Sequence, residues 1–173
     1  MRIIAGEYGG RKLISPGGKV RPMRDMVREA LFNIIPCEGR FMDMFAGSGA
    51  VGLEALSRGF DFVHFVEISG KNVSLIKQNL DLLRVPEDEY RMQRGNAFFI
   101  FKDIEPTPEF DVIFCGTPYI TDVYPKVFKL GLEQLLKPDG ILIIQTDAEY
   151  DPPSGWEKRV FGKDALHFLN ATT

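Results

Sequence analysis

The residues best equipped for chemistry lie in three short stretches. Asp43 to Gly52 reads DMFAGSGAVG, with glycines 47, 49 and 52 in a G-x-G-x-x-G spacing. Gly47 and Gly49 carry no Cβ, so the backbone can turn tightly and a ligand can approach it closely. Glu67 closes the next apolar run, FVHFVE, where a carboxylate can accept two hydrogen bonds from a ribose diol. The third stretch, FDVIFCGTPY, ends an apolar run abruptly in Gly116, Thr117, Pro118 and Tyr119. In an open α/β sheet, residues just past a strand's carboxyl end are where ligands sit. Together the three describe a nucleoside pocket on a glycine loop, with a turn facing it.

Asp43 narrows the choice of nucleoside. It stands four residues before the first glycine, where its carboxylate would reach into the pocket. A carboxylate there repels the pyrophosphate that a dinucleotide lays on a helix amino terminus, but it suits the ammonium or sulfonium of S-adenosylmethionine. A hydride-transferring nicotinamide enzyme is therefore the remote alternative, and a glycine-rich turn that binds nothing is the plain one.

These residues need a scaffold, and the apolar pattern supplies one. Strands are expected at 40–45, 62–67, 90–95, 110–115, 140–146, 157–162 and 165–171. Helices are expected at 23–35, where Met26, Ala30 and Ile34 recur at helical spacing beside Val27 and Leu31, and at 47–58, 72–83 and 123–136. Strands alternating with helices imply βαβ units and a largely parallel sheet. The last two strands follow each other directly and close one edge as an antiparallel hairpin. The fold expected is α/β and Rossmann-like: a mostly parallel seven-stranded sheet with helices on both faces. Residues 2–5 and 11–14 read as a small amino-terminal hairpin, and residues 1–22 as a basic extension of one domain spanning 1–173.

Composition sets outer limits. The chain has 173 residues, 45 % of them hydrophobic and 26 % charged, values ordinary for a globular domain. No apolar stretch approaches the roughly 18 residues needed to span a bilayer, and the opening MRIIAGEYGGRK lacks a signal-peptide core, so a cytoplasmic protein is expected. Cys37 and Cys115 have neither metal nor redox spacing, and no metal site is expected. The net charge of −3 is unevenly distributed. Residues 1–40 hold eight Lys and Arg against four acids, and the remainder 13 against 20, giving +4 and −7. Such asymmetry suggests that the amino-terminal part faces an anion; a solvated basic arm without a partner is the plainer alternative.

The chain resembles the class I S-adenosylmethionine-dependent methyltransferases through DMFAGSGAVGLEALSRG. More narrowly it resembles bacterial 16S ribosomal RNA guanine-N2 methyltransferases, through RIIAGEYGGRKL, RPMRDMVREALFNII, FAGSGAVGLEALSRG, NAFFIF and FDVIFCGTPY, in that order along nearly the full length. The resemblance implies that Asp43, Phe45, Gly47 and Gly49 line the methionine end of S-adenosylmethionine, that Glu67 holds the ribose, and that Asn96 and Ala97 meet the adenine. Phe45 as core and Asn96 as a helix cap stay open beside this. It implies that Gly116, Thr117, Pro118 and Tyr119 form the catalytic turn, and that ribosomal RNA or the small ribosomal subunit is the partner, with no membrane and no obligatory protein partner. Arg11, Lys12, Arg21, Arg24 and Arg28 would then contact phosphates beside the target base. Tyr8 would stack on an unpaired base or fill the hairpin, and Arg28 and Glu29 could instead form structural ion pairs at the helix.

The turn departs from the family's pattern. That pattern is Asp or Asn, then Pro-Pro, then Phe or Tyr; here Gly116 stands at the acid or amide and Thr117 at the first proline. Glycine has no side-chain acceptor for an amine. Three readings stay open: catalysis with backbone acceptors alone, substitution by Asp122 or the Thr117 hydroxyl, or a cofactor- and RNA-binding homologue that does not catalyse.

Overall fold

The computed structural model describes residues 1–17, 23–100, 107–118 and 121–171. Helix α1 (Asp25–Ile34) leads into β1 (Arg40–Met44), α2 (Ala50–Arg58), β2 (Phe62–Glu67), α3 (Gly70–Leu83) and β3 (Tyr90–Arg94). Strand β4 (Phe110–Gly116), the short helix α4 (Tyr124–Val127), β5 (Leu136–Asp147), β6 (Glu157–Phe161) and β7 (Asp164–Asn170) follow. The seven strands lie in the order β3-β2-β1-β4-β5-β7-β6. Strands β1 to β5 pair in parallel, while β7 runs antiparallel to both β5 and β6. This is the expected sheet, with its antiparallel hairpin at one edge.

Alternation along the strands sorts side chains onto two faces. Phe41, Val63, Phe65, Val112, Phe114 and Ile143 pack with Val27, Leu31, Leu53, Ile76 and Leu80 of α1, α2 and α3. Met42, Met44, Val66, Ile113, Cys115 and Ile144 pack on the other face with Val127, Leu132 and Leu135. Both faces are buried, which is why these strands read as nearly continuous apolar runs. The same parity assigns Asp43, Glu67, Gly116 and Gln145 to the face that carries α1, α2 and α3.

Three expectations change. The helix expected at 123–136 is only one α-helical turn, Tyr124–Val127, followed by a 3-10 turn at Leu132–Leu135. Gly131 between them adopts φ +69°, a left-handed conformation that stops a helix. Strand β5 begins at Leu136 rather than Gly140, with a register shift opposite Phe110 and Val112 where Lys137 to Gly140 loops out. The buried stripe of α1 is Val27, Arg28, Leu31 and Phe32, while Met26 is exposed.

The amino-terminal hairpin has one antiparallel bridge, Arg2 with Lys12, rather than two full strands. It is docked by side chains from α2 and α3. The Glu54 carboxylate accepts from the backbone N–H groups of Ile4 (2.8 Å) and Ala5 (3.1 Å). Ser57 Oγ accepts from Tyr8 N (3.0 Å) and donates to Ala5 O (2.5 Å). Asn79 bonds both backbone groups of Ile14. Ile3, Tyr8 and Leu13 complete the attachment by joining the apolar cluster of α1, α2 and α3. Tyr8 therefore fills the hairpin. Among the described residues, no helix is long and apolar enough to cross a membrane, and no group of three His, Cys, Asp or Glu residues could hold a metal ion.

Candidate functional site

A cavity of about 610 Å³ opens at the carboxyl ends of β1, β2, β4 and β5. Its wall includes Asp43, Phe45, Gly47, Glu67, Asn96 and Ala97, and also Gly116, Thr117 and Pro118. The fold thus brings the glycine loop, Glu67 and the turn after β4 around one space. Tyr119 lies outside the described residues.

Local backbone geometry explains the loop. β1 ends at Met44, and Phe45 turns the chain with φ +60°, a conformation that is a genuine outlier for a bulky residue. Its ring meets Phe98 edge-on at 5.4 Å, half-buried at the pocket rather than sealed in the core. Gly49 sits at φ +75°, where a Cβ would lie 2.7 Å from Cγ1 of buried Ile76. The residue must therefore be glycine both for its conformation and for the packing of α3. Gly49 is not part of the cavity wall; it shapes the loop from behind.

The two carboxylates differ. Glu67 Oε2 accepts from Gly47 N and Oε1 from Ser69 N, each at 2.7 Å. Those bonds fix the carboxylate plane, and each oxygen keeps a second lone pair for a ligand hydroxyl. Asp43 is 1 % exposed and accepts from Gly52 N at 2.9 Å, in the first turn of α2. Burial pushes its carboxyl up to about 7, against the pull of the Gly52 N–H and with a further push from Glu67. No ion pair among the described residues includes Asp43. A buried carboxylate on a pocket wall without a cation is a group that a ligand's positive charge would satisfy. The site fits the methionine and ribose of S-adenosylmethionine on that ground. Asn96 Oδ1 accepts from Phe98 N at 3.0 Å, so its side chain does cap the turn that follows β3 while it also lines the cavity.

In the turn after β4, Thr117 is buried and its hydroxyl donates to the backbone carbonyl of Gln145. Its proton is therefore committed to the scaffold. Asp122 is exposed in the following 3-10 turn. Gln145, which in the sequence is no more than the end of an apolar strand, lines the cavity at 4 % exposure and donates Nε2 to Asp164 Oδ1 at 3.3 Å. A signal for it exists: like Asp43 and Glu67, it is a polar residue at the carboxyl end of an apolar run.

The basic residues scatter. Arg28 is 1 % exposed, donating Nη2 to Arg2 O (2.8 Å) and Asp25 Oδ1 (3.0 Å), with Nε 3.5 Å from Glu54 Oε2. Arg28 thus forms structural ion pairs at the helix, with Glu54 and Asp25 as partners, and no phosphate can reach it. Arg11 donates to Leu82 O at the last turn of α3, at 3.0 Å. At 1.5 Å per residue, that point is about 18 Å along the helix from Gly70 at the cavity end. Arg11 is thus fastened at the far end of α3, and neither it nor exposed Lys12 is part of the cavity wall. Arg24 is near, next to cavity-lining Met23, and bonds Asp164 and the Phe161 carbonyl while staying half exposed. Arg21 lies outside the described residues.

Known proteins agree with this architecture. Residues 1–169 match the family model described as Conserved hypothetical protein 95. Ribosomal RNA small subunit methyltransferase D of Haemophilus influenzae is 32 % identical over 163 residues, covering 90 % of this chain and 84 % of that protein. The Escherichia coli K12 protein of the same name is 31 % identical, covering 89 % and 78 %. A solved Thermus thermophilus structure, described as a hypothetical protein, superposes with a TM-score of 0.82 at 30 % identity, covering 98 % of both chains. A Salinibacter ruber RNA methyltransferase solved with S-adenosyl-L-homocysteine shares the fold, with a TM-score of 0.65 at 15 % identity over 87 % of this chain and 94 % of that one. This chain belongs to the Conserved hypothetical protein 95 family, the S-adenosylmethionine-dependent methyltransferases that include the ribosomal RNA small subunit methyltransferase D proteins.

Proposed function

We propose that the protein methylates the exocyclic N2 amine of a guanine in small-subunit ribosomal RNA. The observation that supports the reading is the meeting, in one cavity, of the buried Asp43 carboxylate, the Glu67 carboxylate fastened to Gly47, and a Gly-Thr-Pro turn. The names of the curated relatives supply the RNA.

Asp43 would face the positive end of S-adenosylmethionine and Glu67 the ribose hydroxyls, while Asn96 and Ala97 sit where the adenine would lie. Bound there, S-adenosylmethionine would supply an electrophilic methyl on a sulfonium, whose sulfur would keep the C–S electron pair as the amine took the methyl and gave up a proton. What the chain must do is aim the nitrogen. The amine's lone pair is delocalised into the guanine ring, so alignment of the two reactants supplies most of the acceleration. The Gly116 and Thr117 backbone would lie against the amine, and the Thr117 bond to β5 holds that turn still. The target base must leave its stack to enter the cavity, which is easiest from a loop or exposed strand.

Gly116 favours a second reading, a homologue that binds cofactor and RNA without transferring methyl, since no side chain stands at that position. Incubation with labelled S-adenosylmethionine and hypomethylated small ribosomal subunits, followed by nucleoside mass spectrometry, separates the two. N2-methylguanosine is expected; cofactor binding without any label in RNA would leave the second reading standing.

A further inference from the structure

We propose that Gln145 provides the side-chain oxygen that accepts a hydrogen bond from the substrate amine, beside the position where Gly116 has none. The inference rests on the guanine-N2 reading and names the residue that completes its site.

Register carries it. Gly116 of β4 is paired directly with Gln145 of β5. Paired residues on adjacent parallel strands sit about 4.8 Å apart and project to the same face of the sheet. The preceding same-face residues, Phe114 and Ile143, are both in the cluster beneath α1, α2 and α3, so the face is not in question. Gln145 is thus the side chain next to the spot that a residue at 116 would fill, and both positions line the cavity.

Its orientation is set from behind. Gln145 Nε2 donates to Asp164 Oδ1, and Asp164 Oδ2 is held by Arg24. A carboxylate held by a guanidinium only accepts, so the amide's nitrogen is the end that faces Asp164 and its carbonyl oxygen is the other end. The backbone carbonyl of the same residue takes the Thr117 hydroxyl, so the turn and the amide are fastened to one another. An amide oxygen accepts a hydrogen bond without taking the proton, which passes from the methylated nitrogen to water. Asp164 and Arg24 act as positioning residues through Gln145.

The test compares Gln145→Leu, Gln145→Met and Gln145→Leu combined with Gly116→Asn. The last is sterically reasonable: a Cβ at 116 lies 3.1 Å from the Phe114 ring edge, a matter of a few tenths of an ångström. At saturating S-adenosylmethionine, single-turnover transfer to hypomethylated subunits should slow about 30-fold in Gln145→Leu, the scale of a misaligned reactant. Calorimetric affinity for S-adenosylmethionine should stay within about twofold, since the proposal gives the amide to the substrate amine rather than to the cofactor. RNA affinity measured with S-adenosylhomocysteine bound should weaken about fivefold, one hydrogen bond's worth. Adding Gly116→Asn should recover most of the transfer rate, which no merely structural defect would allow. Melting curves check folding, and Gln145→Met replaces Leu if the latter unfolds. An unchanged rate in a folded Gln145 variant overturns the inference, as does a loss that Gly116→Asn leaves unrepaired in a folded double variant. Wild-type protein that makes no N2-methylguanosine in the same assay overturns the functional reading, and this inference with it.

Discussion

Two carboxylates buried against helix α2 have opposite surroundings. Glu54, wholly buried, is met by Arg28 and Arg58 and by the backbone N–H groups of Ile4 and Ala5. Asp43, equally buried, has one backbone donor and no cation among the described residues. The first arrangement compensates a buried charge on every side; the second leaves it with a single backbone donor. Charge and burial alone do not distinguish a structural acid from a site acid, and the partners do.

Removing each acid sharpens the contrast. Glu54→Ala leaves buried Arg28, among the described residues, with only the exposed Asp25 as its acid and unfastens the amino-terminal hairpin. Breaking a buried pair on one side costs about 3–5 kcal/mol, so urea unfolding should show a loss of that size. Asp43→Asn keeps the shape and can still accept from Gly52 N, and it relieves an uncompensated charge. Its stability at pH 8 should stay within about 1 kcal/mol of the parent or exceed it, while calorimetry should show S-adenosylmethionine binding weakened by roughly 10- to 100-fold, the worth of a charge-assisted contact. A large stability loss in Asp43→Asn would place it with Glu54 instead.

Proton linkage gives a finer test. The Asp43 carboxyl titrates near 3.8 in an ordinary setting and about 7 in the fold. Between those values the folded protein holds the proton more tightly than the unfolded chain, so this residue's contribution to stability is most favourable at low pH and is lost as pH rises to about 7. A cationic ligand has the reverse preference, because it binds the ionised form. Affinity for S-adenosylmethionine should therefore rise up to tenfold per pH unit toward about 7 and then level. Binding below that pH should release a proton, visible in buffers of different ionisation enthalpy. Asp43→Asn should flatten the profile, whereas Glu54→Gln should leave its shape intact.

The same distinction marks how much could be read from the chain. Strands β1, β2 and β4 were legible because burial on both faces makes them nearly continuous apolar runs, and the place of Asp43 and Glu67 on the cavity wall was legible because glycines and strand ends frame them. The helix expected at 123–136 was not, since its apolar spacing hides a left-handed Gly131 that only the tertiary fold imposes. Gln145 carries only the weak signal of a polar residue ending an apolar run, and the register opposite Gly116 that gives it meaning leaves no mark in either strand alone. Arg28 misled for a related reason: a charge inside a helical stripe reads as a surface patch until Glu54, distant in sequence, is brought against it.

The smallest expected effects fall on Arg11 and Lys12. Both are exposed, and the bond from Arg11 to Leu82 O is at the surface. Alanine at either position should alter stability by no more than about 0.5 kcal/mol, unlike changes to the buried Arg28–Glu54 pair. Any phosphate they touch lies near the far end of α3, so its contact adds affinity without placing the base. Each substitution should therefore reduce the salt slope of RNA binding by about one at most and leave single-turnover transfer at saturating RNA unchanged. A slowed chemical step in Arg11→Ala would mean that the RNA path from hairpin to cavity is rigid enough for the two ends to act as one site.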